Sequence, residues 1–119
     1  MIEETQTNQK AVIEYGDFEK LDIRVGLITE VVAPDWSKKL LQLTVDFGAE
    51  IGERTILSGI KAWYEPEDIQ GKKAMFIVNL AERKMGPGTS QGMMLMADEE
   101  EKPVLVFVPD EVALGAVIR

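Results

Sequence analysis

Ser90 and Gln91 offer a hydroxyl and an amide that can each donate and accept, and Arg24, Lys38, Lys39, Arg54, Arg83 and Lys84 offer fixed positive charge. The densest stretch is Lys84 to Met96, K-M-G-P-G-T-S-Q-G-M-M-L-M, a glycine-rich loop running straight into methionines. Gly86 to Gly92 lacks the lysine and the strand-to-helix setting of a phosphate-binding loop. A Ser90 nucleophile with Lys84 as base is conceivable, yet nothing else in the chain supports covalent catalysis. With no cysteine and no histidine, the chain has no disulfides, no Cys/His zinc site, no thiol nucleophile and no Ser-His-Asp triad. The acid run Asp98 to Glu101 lacks the ligand spacing of a calcium loop and reads as a solvated hairpin tip. What chemistry survives must run on carboxylates, lysines or hydroxyls, and no enzyme, metal or cofactor is expected. Cations suit a phosphate backbone, and Ser90 and Gln91 suit base edges or 2′-hydroxyls.

At 119 residues the chain has one domain's worth of length. Its 21 acidic and 13 basic residues give a net charge of -8, which argues against sequence-blind polyanion binding unless the cations are gathered locally. The longest apolar runs, Ala74 to Val78 and Val104 to Val108, fall far short of the roughly 20 residues that cross a membrane. The start, M-I-E-E-T-Q-T-N-Q-K, has neither the basic nor the apolar part of a secretory signal, and is expected to be a mobile lead-in to a free-standing cytoplasmic protein.

The recognition residues need a frame to position them. Asp17 offers a helix N-cap, and Ile23 to Val32 reads as a strand with Ile23, Val25, Leu27 and Val31 on one face and Gly26 at a bulge or close approach. Leu40 to Phe47 has the cleanest alternation, with Leu41, Leu43, Val45 and Phe47 inward, and is expected to pair antiparallel with the first strand. Arg54 to Ser58 is a third strand. Glu65 to Gly71 follows as a short helix with proline first and glycine just past its end. Ala74 to Val78 is a fourth strand, Asn79 to Thr89 a loop, Met93 to Ala97 a fifth strand, and Val104 to Val108 and Gly115 to Arg119 are strand-like extensions. Three strands, a short helix and two strands is the order of an all-β OB-fold, a five-stranded Greek-key barrel. The division expected is an N-terminal extension over residues 1–16 and the barrel domain over 17–119.

Several strings carry a resemblance: Asp17-Phe18-Glu19-Lys20-Leu21-Asp22-Ile23-Arg24-Val25-Gly26, Ser37 to Gly48, Arg54-Thr55-Ile56-Leu57-Ser58-Gly59-Ile60, Asn79 to Met85, and Ser90-Gln91-Gly92-Met93. Together they resemble the tRNA-binding domain found at the C-terminus of methionyl-tRNA synthetases and in small stand-alone tRNA-binding proteins. The resemblance implies a homodimeric OB-fold without catalytic activity that grips tRNA by shape, alone or with an aminoacyl-tRNA synthetase. It implies RNA contacts among Arg24, Lys38, Lys39, Arg54, Asn79, Arg83, Lys84, Ser90, Gln91 and Met93. The related export-chaperone branch usually lacks the S-Q-[GA]-M string. A peptide-binding protein of that branch, or a detached synthetase dimerisation domain, is the alternative. The family often has a histidine-proline pair followed by alanine-aspartate-lysine-leucine between the first strands; here the segment is Ala33-Pro34-Asp35-Trp36-Ser37-Lys38-Lys39-Leu40.

Individual residues keep more than one role at this point. In an OB-fold the loops holding Lys38 and Lys39, and Arg83 and Lys84, edge one groove. Arg24 is a groove cation or half of an ion pair, and Asn79 contacts RNA or bonds turn backbone. Trp36 stacks on a base, covers the barrel mouth or enters a dimer interface. Alternation sends Met93 and Leu95 one way and Met94 and Met96 the other, one set toward the core and the other toward a partner chain or the extensions. The apolar run Val104 to Val108 equally demands a cover.

Overall fold

The computed structural model describes residues 9–119, so the first eight residues of the expected lead-in lie outside it. Its regular elements are α1 (Tyr15–Phe18), β1 (Ile23–Val32), β2 (Leu41–Asp46), β3 (Glu53–Ser58), α2 (Pro66–Ile69), β4 (Lys73–Ile77), β5 (Arg83–Met85), β6 (Gly88–Ser90), β7 (Met93–Met94), β8 (Met96–Asp98), β9 (Pro103–Leu105), β10 (Phe107–Val108) and β11 (Val117–Ile118). The main sheet runs β10-β4-β1-β2-β3, with β7 also on β4 and β11 also on β1. All its pairings are antiparallel. This is the OB-fold barrel, with the short helix α2 between β3 and β4 as the element order requires.

The alternation of β2 translates directly into the core: Leu41, Leu43, Val45 and Phe47 are fully buried. Phe47 meets Phe76 of β4 edge-on, with centroids 5.3 Å apart and planes at 86°. The first strand differs from its simple pattern. Its barrel-facing residues are Gly26 and Ile28, and then, past a register shift between Ile28 and Glu30, Val31. The extra residue reverses the alternation, as a bulge must. A Cβ on Gly26 would overlap Val45 Cγ1 and come within 2.7 Å of Phe47 Cε1, so this is the close approach and the bulge lies three residues on. Ile23 and Val25 face the other way and are buried by the C-terminal segment. There, Gly115 donates to the Val25 carbonyl at 2.8 Å and Ile118 pairs with Ile23.

Helix α1 starts earlier than expected: Glu14 is its N-cap, and Asp17, instead of capping, accepts the Glu14 N–H at 3.1 Å from the third helical position. It thus straddles the expected boundary at residue 17. Helix α2 follows the sequence closely, with Pro66 first, the Glu65 N–H bonded to Asp68 Oδ2 at 2.9 Å, Ile69 buried, and Gly71 at φ +89 beyond the end.

Asn79 to Thr89 is not a plain loop, because β5 and β6 form their own antiparallel hairpin. The fifth strand also divides. The outer edge of β4 takes β7 at Phe76 and Ile77 and β10 at Ala74 and Lys73, leaving no room for a longer ladder. Leu95 donates to the Met75 carbonyl at 2.9 Å, and the chain then leaves as the β8–β9 hairpin, with residues 99–102 at its tip. Met94 joins the core and Met96 packs against it, whereas Met93 is 46% exposed.

Candidate nucleic-acid interface

The free edge of β3 must be paired for the barrel to close, and the residues that pair it come from the S-Q-G-M string. Gln91 Oε1 accepts the Thr55 N–H at 2.8 Å, and the Gln91 N–H donates to the Thr55 carbonyl at 2.8 Å. Two residues along the same edge, Ser90 Oγ accepts the Leu57 N–H at 3.0 Å and donates to the Gly92 carbonyl at 3.0 Å. Ser90, expected on the ligand-facing loop, is therefore turned inward and is 4% exposed. Its hydroxyl is fully engaged, and register places it opposite Arg83, on the other side of the hairpin from Lys84, so no base addresses it. Gly92 follows at φ +149, where a Cβ would lie 2.8 Å from the Ile77 carbonyl oxygen.

Three more candidate residues hold backbone in place. Arg54 Nη1 donates to the Val78 carbonyl at 2.5 Å and to that of Gln91 at 3.4 Å, tying β3 to the end of β4. Asn79 accepts the Asp22 N–H at 2.9 Å and donates to the Lys20 carbonyl at 2.7 Å, fastening that end of β4 to the segment before β1. Arg24 is half of an ion-pair cluster, 2.7 Å from Asp22 and 3.0 Å from Glu50, and also donates to the Gly115 carbonyl. The hydrogen bond it donates to Asp22, then the one it donates to Glu50, raises its pKa above the ordinary arginine value.

The remaining cations behave differently. Lys38, Lys39, Arg83 and Lys84 are exposed and have no side-chain partner among the described residues. Of the other described cations only Lys10 and Arg119 share that freedom. Lys20 pairs with Asp17, Lys73 bonds two carbonyls, and Lys72 and Lys102 lie over Phe107 and Tyr64. Lys61, outside the set of candidates that the sequence offers, lies beside Lys38 and Lys39: its N–H donates to the Lys39 carbonyl at 3.2 Å and its Nζ reaches the Ser37 carbonyl at 3.5 Å. Its signal was a cation one residue beyond the Arg54 to Ile60 string.

Trp36 joins the two cation-bearing segments. A Cβ on Gly86 would sit 3.0 Å from its Cε3 and Cζ3, and one on Gly88 would sit 3.0 Å from Cζ2, so the indole occupies space that only glycine leaves. The hairpin register puts Arg83, Met85, Gly88 and Ser90 on the side toward Leu57, with Lys84 and Thr89 on the opposite side. Arg83 accordingly borders a groove of about 640 Å³ lined by Leu57, Leu80, Met85, Met93 and Leu95, while Lys84 faces away from it. The groove is mostly apolar; its charged lining residues are Arg83 and Asp98.

A small antiparallel barrel sealed by side chains, with four of the six cations that lack a side-chain partner among the described residues on two touching segments, has the architecture of the OB-fold class. The family is narrower still. Residues 23–117 match the family model described as "Putative tRNA binding domain", and the chain belongs to that family. It is 44% identical over 108 residues to the methionine–tRNA ligase of Parabacteroides distasonis, an alignment covering 90% of this chain and 16% of that ligase. Among solved structures, a MetRS related protein from Pyrococcus horikoshii superimposes with a TM-score of 0.86 at 40% identity, covering 92% of this chain and all of that one. Chaperone CsaA of Bacillus anthracis superimposes with a TM-score of 0.81 at 27% identity, over 92% of this chain and all of that one.

Proposed function

We propose that this chain is a non-catalytic, structure-specific tRNA-binding protein of the cytoplasm, acting alone or in trans with an aminoacyl-tRNA synthetase. One observation carries the reading: in a chain of net charge -8, Lys38, Lys39, Arg83 and Lys84 have no acidic partner among the described residues, and lie on two segments joined through Trp36. Family membership supports tRNA as the polyanion. Recognition by shape follows from what the polar groups are doing. Ser90 and Gln91, the candidates for reading base edges, are committed to the edge of β3. Contact then falls to cations on phosphates, which position RNA without reading sequence. Retention of unfractionated tRNA on a filter at low salt tests the proposal, and no retention rejects it.

A homodimer is part of the same proposal. Met93, Val106, Phe107 and Val117, on or beside the short strands β7, β10 and β11, are each 40 to 46% exposed, apolar side chains that a partner chain would cover. The apolar groove beside Arg83 and the likeness to a chaperone favour peptide binding as the second reading. Affinity for an unfolded polypeptide combined with indifference to tRNA would decide for it.

A further inference from the structure

Trp36 is 37% exposed although its six-membered ring is pressed against Gly86 and Gly88. The indole is thus held in one place while leaving a third of its surface to solvent. Burial alone does not account for this arrangement, since Trp36 is absent from the core cluster. Cations outnumber acids around it: Asp35 precedes it and Glu82 lies beside Arg83, while Lys38 and Lys39 follow it in the same loop, Lys61 reaches the Ser37 carbonyl, and Arg83 and Lys84 sit on the hairpin it touches, Arg83 on the face of Gly88. Such a setting repels a cationic ligand and favours one that is anionic along its backbone and flat in its side groups. Unpaired nucleotides have that chemistry, and exposed aromatics between cations are how single-stranded segments are held.

We propose that Trp36 is a preformed stacking platform for an unpaired nucleobase of the bound RNA, fixed by Gly86 and Gly88 between the two cationic segments. The proposal rests on the tRNA reading and adds to it a contact that phosphate binding does not supply. Fixing the ring before the ligand arrives removes the ordering cost that a mobile side chain would carry. A fully paired RNA offers this platform no base face except at its ends, so the platform would distinguish a folded tRNA with loops and a single-stranded end from plain duplex.

The chain has two tryptophans, Trp36 and Trp63, so Trp63→Phe makes Trp36 the single reporter. Titrating that variant with total tRNA is expected to quench its emission with the same midpoint as filter retention, and blunt duplex RNA of equal length, whose only open base faces are its ends, is expected to quench it far less; equal quenching by the duplex overturns the proposal. Trp36→Phe should keep most of the affinity. Trp36→Leu, which still fills space over the glycines, should lose about tenfold while keeping the slope of affinity against salt, because a stacked base releases no counterions. Retention of tRNA with unchanged Trp36 emission overturns this proposal alone, as does equal affinity of the Phe and Leu variants. A Leu variant whose salt slope also falls would make Trp36 a mere spacer for the lysines and overturn it too. If the unsubstituted protein retains no tRNA, the functional reading fails and this proposal fails with it.

Discussion

Gln91 and Thr55 exchange two hydrogen bonds of 2.8 Å, one of them through the Gln91 side chain, so that a single residue replaces a stretch of ladder. Replacing Gln91 by leucine keeps its bulk but leaves the Thr55 N–H without an acceptor. The expected loss is about 1–3 kcal/mol of unfolding free energy, read as a lower urea midpoint with an unchanged slope. A midpoint equal to that of the parent would mean that water satisfies this edge.

The lysines should behave in the opposite way. Lys38, Lys39 and Lys84 are exposed and have no side-chain partner among the described residues, so their combined replacement by alanine should shift stability by less than about 0.5 kcal/mol. Each lost phosphate contact should flatten the log–log dependence of tRNA affinity on salt by roughly 0.7–0.9. A steep slope retained in the triple variant would place the contacts elsewhere.

Gly26→Ala tests the core from the other side. Its Cβ would overlap Val45 and Phe47, both fully buried, and overpacking of that kind costs about 1–3 kcal/mol. Thermal melting should show the loss, and an unchanged melt would mean that β1 and β2 can move apart freely.

Light scattering addresses assembly. A mass about twice the single-chain 13.3 kDa is expected, and Phe107→Glu, which puts a charge on the exposed apolar edge, should lower it to the single-chain value. A parent protein already at that value would remove the dimer from the proposal.

Much of the barrel was readable because its signals are local. The alternation from Leu41 to Phe47 requires no knowledge of distant residues, and neither does the proline-acid-glycine order of α2. The bulge after Ile28 was not readable, since it depends on how β1 and β2 pair and reverses which residues face the core. The division of the fifth strand also depends on a crowded β4 edge. At the site, the free cations were visible as clusters, but Arg24, Arg54 and Asn79 take their partners from residues 24 or more positions away or from the local acids that happen to face them. The inward turn of Ser90 is of the same kind: a hydroxyl in a glycine-rich stretch looks exposed until the strand it must cap is known.

The side-chain seam along β3 has a consequence for how the family's surface can diverge. Because Ser90, the last residue of β6, and Gln91 hold the barrel wall through their side chains, the rest of the β5–β6 hairpin pairs only with itself and packs on the wall through Gly88 and Trp36. Charges and lengths on the hairpin can change while the wall keeps its bonds.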